Sequence, residues 1–147
     1  RRGGRARGSV VVTTPLRVPG EMAQPIKDHL AAVLPGLAGV PAVSVSLGVP
    51  RDWTPAKSNP HIGVFDDSGP MQWPIVASHR LRVVVWSNSR TLSRLIAGRC
   101  LGVVLAQKIA GIANVIDPST LTDGRDPINT GTTAEFYATV RVRTVEV

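Results

Sequence analysis

The hydrophobic and polar positions of the second half of the chain change period twice. Leu81, Val83 and Val85 alternate with Arg80, Arg82, Val84 and Trp86, which predicts a half-buried strand over 78–86. The capping run Ser87-Asn88-Ser89-Arg90-Thr91 then opens a long apolar stretch that predicts a helix over 89–111. At about 100° per residue, Leu92, Ile96, Cys100, Val103 and Ala110 fall on one side of it, with Arg90, Arg94 and Lys108 opposite. Gly98, Gly102 and Ala106 form a further stripe of small residues along which another element can approach. Polar surface is confined to a narrow strip, so the helix is expected to be buried on more than one side, by its own sheet and by a neighbouring subunit. A Pro, Gly and Asp-rich loop over 117–131 follows, and then period two returns. Phe136, Ala138, Val140 and Val142 oppose Glu135, Tyr137, Thr139, Arg141 and Arg143, predicting a last strand over 135–147. Its charged face is free to meet solvent, a ring lumen or another chain.

The first half is less regular. Met22, Ile26, Leu30 and Val33 or Leu34 recur at helical spacing and predict a helix over 21–34, with Pro25 tolerated in the first turn and Pro35-Gly36 as the stop. Val43, Val45, Leu47 and Val49 alternate with Ser44, Ser46 and Gly48, a strand ended by Pro50. From residue 51 to 75 the prolines and the Asp66-Asp67-Ser68-Gly69-Pro70 run break any long period. This predicts loops or an excursion hairpin, with a short strand at 61–65. Ser9-Val10-Val11-Val12-Thr13-Thr14 is β-branched and reads as a short strand or an arm that adds to a neighbouring sheet, and 16–20 as a connector. The expected fold is one α/β (α+β) domain over 21–147: a single mixed or antiparallel sheet of about four strands, packed by two helices. An extended basic arm precedes it over 1–20.

Composition and charge refine this reading. A chain of 147 residues can bury one core, and with 43% hydrophobic but only 4% aromatic residues that core must be built from Val, Leu, Ile and Ala. The longest apolar run, 101–106, falls far short of the roughly 20 residues that span a bilayer. Cys100 is the single cysteine and no apolar leader precedes the first element, so the expectation is a soluble protein made in a reducing compartment. The net charge of +7 lies largely in the arm, where Arg1, Arg2, Arg5, Arg7 and Arg17 all precede the first acid, Glu21. Such a segment has too little apolar surface to fold alone, which makes Arg1, Arg2, Arg5, Arg7, Val10, Val11 and Val12 candidate contacts with another subunit or a neighbouring ring. Nucleic acid is the other candidate, although the arm carries no stacking aromatic.

No set of residues predicts catalysis, a cofactor or a metal. Cys100 lies within an apolar helical face and reads as a buried thiol. His61 with Asp66 and Asp67 lacks a second His or Cys at metal spacing, and His29 and His79 are isolated. Asp117, Asp123 and Asp126 do not match a calcium loop. Phosphate-binding glycine loops and a Gly-x-Ser-x-Gly elbow are missing from the sequence.

The order of these segments resembles the tail terminator proteins of long-tailed (siphovirus-type) bacteriophages. The resemblance is carried by 43–49, Trp73-Pro74, 81–86, 89–110 and 136–142, and covers about residues 21–147. It implies a virion structural protein made in the host cytoplasm. Such a protein assembles as a homo-hexameric ring that caps the head-proximal end of the tail tube. Its partners would be further copies of itself, the tail tube protein and a head or neck connector, with DNA passing through the lumen without sequence-specific binding. Gly98, Gly102 and Ala106 would then pack between subunits, and Arg141 and Arg143 would face the lumen or a partner. The alternatives are another head-to-tail connector, a neck or tail-completion protein, and a nucleic-acid-binding domain that uses the Arg-rich arm.

Overall fold

A computed structural model describes residues 16–50, 53–55, 58–73, 75–126 and 131–146. The arm candidates Arg1, Arg2, Arg5, Arg7, Val10, Val11 and Val12 lie outside the described residues. In chain order the elements are β1 (Arg17–Val18), α1 (Ala23–Val33, continued by a tight turn at Leu34–Gly36), β2 (Ser44–Leu47), β3 (His61–Asp66), β4 (Met71–Gln72) and β5 (Val76–Ser87). Then come α2 (Arg90–Ala106), β6 (Asn114–Ile116), β7 (Thr122–Arg125), β8 (Thr132–Arg143) and β9 (Val145–Glu146).

The sheet is built on β5 and β8, twelve residues each, which pair antiparallel from Val76↔Arg143 to Ser87↔Thr132. The shorter strands fill the outer edges of this ribbon. β3 pairs antiparallel with β5 from His61↔Trp86 to Asp66↔Leu81, and β4 continues along the same edge at Met71↔Ala77. Between them the 67–70 segment stays bonded to β5, with Asp67 N–H donating to Arg80 O and Arg80 N–H to Ser68 O, each at 2.9 Å. On the other long strand, β7 pairs with Thr132–Glu135 and β6 with Thr139–Arg141. Ser119 bridges the gap by donating its N–H to Tyr137 O at 2.7 Å. β2 completes the sheet parallel to β3, with Ser44 opposite His61.

The mixed, mostly antiparallel sheet and its two helices agree with the sequence pattern, but the strand number does not. Seven strands replace the expected four, because β4, β6 and β7 are short ladders that satisfy the open backbone groups of β5 and β8. Much of the expected 51–75 excursion is likewise sheet, and its strand at 61–66 lies between β2 and β5. The connector at 16–20 contains β1, which pairs with β9 as a separate two-stranded ribbon. Gly20 is obligatory beside it, since a Cβ there would lie 2.6 Å from Arg143 O.

Both helices cover one face of the sheet. Ile26, Leu30 and Leu34 from the α1 region, and Ile96, Cys100 and Val103 from α2, meet Ile62, Val64, Leu81, Val83, Val85, Phe136 and Val140 in one buried cluster. Burying each large aliphatic or aromatic side chain of this kind contributes about 1.5–3 kcal/mol. Pro25 falls in the first turn of α1, as its missing N–H requires. α2 starts at the Ser89 cap, whose Oγ accepts from Leu92 N–H, and stops at Ala106, five residues short of the expected end. Gln107 is extended and Gly111 adopts φ 87°, which turns the chain back so that Ile109 and Ile112 are buried.

Candidate functional site

The face of the sheet away from the helices carries the side chains of His61, Gly63 and Phe65 on β3, the even-numbered residues of β5 and the odd-numbered residues of β8. One end of this face is closed by a second apolar cluster of Trp53, Val84 and Trp86, with Phe65 packed against it. Trp53 donates its Nε1–H to Asn59 O at 2.7 Å. Trp86 donates its Nε1–H to Asp126 Oδ2 at 3.0 Å. Gly63 makes room for this cluster, since a Cβ there would stand 2.8 Å from the Trp86 ring and 2.6 Å from Gly48 O.

Beside the cluster, His61 is buried between two hydroxyls. Ser44 Oγ lies 2.6 Å from its Nδ1 and Ser46 Oγ 2.8 Å from its Nε2. Loss of its water shell holds the imidazole below its ordinary pKa of 6.5. A pocket of about 450 Å³ adjoins it, lined by Val43, Ser44, Pro50, Trp53, Ser58, Asn59 and His61. Neither imidazole nitrogen contacts a carboxylate, and burial weakens the base, so the arrangement holds a neutral ring in place better than it activates a hydroxyl. Sequence reading missed this cluster. The alternation of Ser44 and Ser46 was visible, but not the parallel register that brings them to His61.

The rest of the open face is basic. In successive rows across β5 and β8 stand Val76 with Arg143, Ser78 with Arg141, Arg80 with Thr139, and Arg82 with Tyr137. Each of these four rows holds one arginine, so the guanidinium groups run as a diagonal stripe. The Arg80 guanidinium lies over the Tyr137 ring, 4.5 Å from its centroid, and that of Arg82 over Phe65 at 4.0 Å. Arg82 also donates to Asp67 Oδ2 at 3.1 Å. Among the described residues Arg80, Arg141 and Arg143 have no ion-pair partner. Arg141 and Arg143, expected on a polar face of the last strand, are exposed on this surface.

The remaining candidates are dispersed. Gly98, Gly102 and Ala106 lie along one side of α2. Leu121 comes within 3.9 Å of a Cβ built on Gly98, and open space surrounds one built on Gly102. Cys100 is buried, and desolvation pushes its thiol up to about 12, where it stays protonated and unreactive. The acids each have separate uses. Asp66 Oδ2 is 2.9 Å from His79 Nδ1. Asp123 takes 2.6 Å contacts from both Arg94 and Arg90, and these hydrogen bonds, Arg94 first, hold its carboxyl below the usual range. Among the described residues no three or more His, Cys, Asp and Glu side chains gather as a metal site, and no helix is long and apolar enough to cross a membrane.

Among the described residues, Leu16 before β1 and Leu105 on α2 are exposed, and the other large exposed apolar side chains gather in two places. Trp73 and Ile75, 56% and 62% exposed, occupy the β4–β5 turn, with Met71 behind them. Ile75 O accepts from Thr144 N–H, which places the exposed Val145 and its pair Val18 beside this turn. Leu47 and Val49 form the other place, at the β2 edge of the sheet. No protein-family model matches the chain, and no curated protein matches it.

Proposed function

We propose that this chain is a structural subunit of the tail terminator kind found in long-tailed bacteriophages. It assembles as a ring, of six copies in that family, at the head-proximal end of the tail tube and joins the tail to the head or neck connector. It works by contact, without a catalytic step. The observation that supports this reading is the pair of separate apolar surfaces, the Met71–Trp73–Ile75–Val145 end and the Leu47–Val49 edge. A head-to-tail contact repeated around a closed axis needs two different complementary patches on each subunit, and burying exposed apolar area drives their association. The resemblance rests on the order helix, serine-valine strand, a partly stranded crossing, long strand, capped helix and long closing strand.

Native mass measurement of the purified protein over a range of salt concentrations tests the proposal. A discrete ring mass that persists at high salt is expected, because apolar contacts are not screened. Ile75→Asp should shift the mass to the monomer while leaving the thermal midpoint unchanged, since the side chain is mostly exposed. A wild-type monomer at every salt concentration would overturn the ring. A ring of another subunit number would favour the neck or tail-completion reading.

A further inference from the structure

We infer that the arginine stripe on the open sheet face is a binding site for the phosphate backbone of nucleic acid. The inference rests on the arginine geometry of this face and does not require the ring, with which it shares one residue, Trp73.

The stripe has a regular repeat. Residues two apart on a strand face the same way, so successive rows are about 6.6–6.8 Å apart, and the four rows from Val76–Arg143 to Arg82–Tyr137 span about 20 Å. One guanidinium per row gives a periodic line of positive charge, comparable with the spacing of successive phosphates along an extended strand. Arg80 and Arg82 lie over Tyr137 and Phe65; Arg82 is also held by Asp67, whereas Arg80 is exposed and offers its N–H groups to phosphate oxygens. Ser78 and Thr139 supply hydroxyls in the middle rows. At the Arg143 end, the β4–β5 turn carries Trp73, whose exposed indole provides a stacking surface.

Charge complementarity selects a polyanion, and the composition of the rows selects nucleic acid over an acidic protein segment. Protein contacts are anchored by buried aromatic or aliphatic side chains at their centre. Here the central rows hold Ser78, Arg141, Arg80 and Thr139, all polar residues. Two carboxylates border the stripe, Asp67 on Arg82 and Glu135 beyond Tyr137, while Arg80, Arg141 and Arg143 remain uncompensated among the described residues. Among the described residues, neither helix reaches this face, and Trp53 packs only at its Val84–Trp86 end.

The test uses the full chain and fluorescence anisotropy with a labelled oligothymidylate of about twenty nucleotides. A duplex of the same length distinguishes single-strand from double-strand backbone as the source of the phosphates. Binding should weaken steeply between about 50 and 200 mM salt. Arg141→Ala with Arg143→Ala should weaken binding and lower the log–log salt slope by about 1.4, at about 0.7 per phosphate contact on a single strand. Circular dichroism of that variant should match the wild type, because both side chains are exposed. A second full-length variant with Arg1, Arg2, Arg5 and Arg7 replaced by alanine should retain the stripe-dependent part of the slope. The inference is overturned if the wild type binds neither probe at 50 mM salt, or if the double substitution leaves affinity and slope unchanged. Displacement by poly-glutamate as readily as by unlabelled oligonucleotide would also overturn it, in favour of an acidic protein partner.

Discussion

His61 keeps both ring nitrogens on serine hydroxyls, contacts that a protonated imidazole can also make because a hydroxyl accepts as readily as it donates. What opposes its protonation is burial, which lowers its pKa in the folded chain. Below about pH 6.5 the unfolded chain therefore binds a proton that the folded chain resists, so stability falls as the pH drops through that value. The melting temperature should fall between pH 7.5 and pH 5, and should fall less in His61→Gln. Equal losses in both proteins would show that the imidazole is not responsible. At this scale the sequence was only partly readable. The alternation of the last strand identified Arg141 and Arg143 as an exposed pair, but joining them to Arg80 and Arg82 required the register of β5 on β8. The serines around His61 depended on a parallel pairing that no local pattern announces.

Elements whose own side chains enforce their period were legible, and those defined by a neighbour were not. α2 was marked at its start by Ser89, and its Oγ does accept from Leu92 N–H. Replacing this cap, Ser89→Ala, should cost about 1 kcal/mol, read as a lower denaturant midpoint at unchanged slope. The long strands β5 and β8 were legible because Leu81, Val83 and Val85 on one, and Ala134, Phe136, Ala138, Val140 and Val142 on the other, keep one face apolar. β7, by contrast, reads Thr-Asp-Gly-Arg and is exposed throughout. It is a strand only because β8 offers it an open ladder, and Arg90 and Arg94 clasp Asp123 from α2. The same holds for β4 and for the Asp66–Pro70 run, a turn signal by composition that is drawn out along β5. The early end of α2 follows from burial of Ile109 and Ile112 beyond it, a tertiary effect that outweighs helix propensity.

For the whole molecule, hydrophobic patterning was enough to place two helices on one side of a mostly antiparallel sheet, and not enough to say what its other side presents. That side divides into an aromatic end and a basic middle through pairings between residues far apart in the chain. The most distant pairing is the β1–β9 ribbon, where Arg17 Nε–H donates to Thr144 Oγ1 at 2.9 Å across 127 positions. Arg17 also donates to Thr144 O and lies 3.7 Å from Glu146. This contact has a kinetic consequence. Closing so long a loop is entropically costly until the intervening chain is organised, so the ribbon belongs to the last events of folding. A contact absent from the transition state affects only the escape from the native state. Stopped-flow measurements on Thr144→Val should therefore show faster unfolding at an unchanged refolding rate, and slower refolding would place the ribbon in the nucleus. By this route, the small clasp between the two ends of the described chain governs how long the folded molecule lasts rather than how quickly it forms.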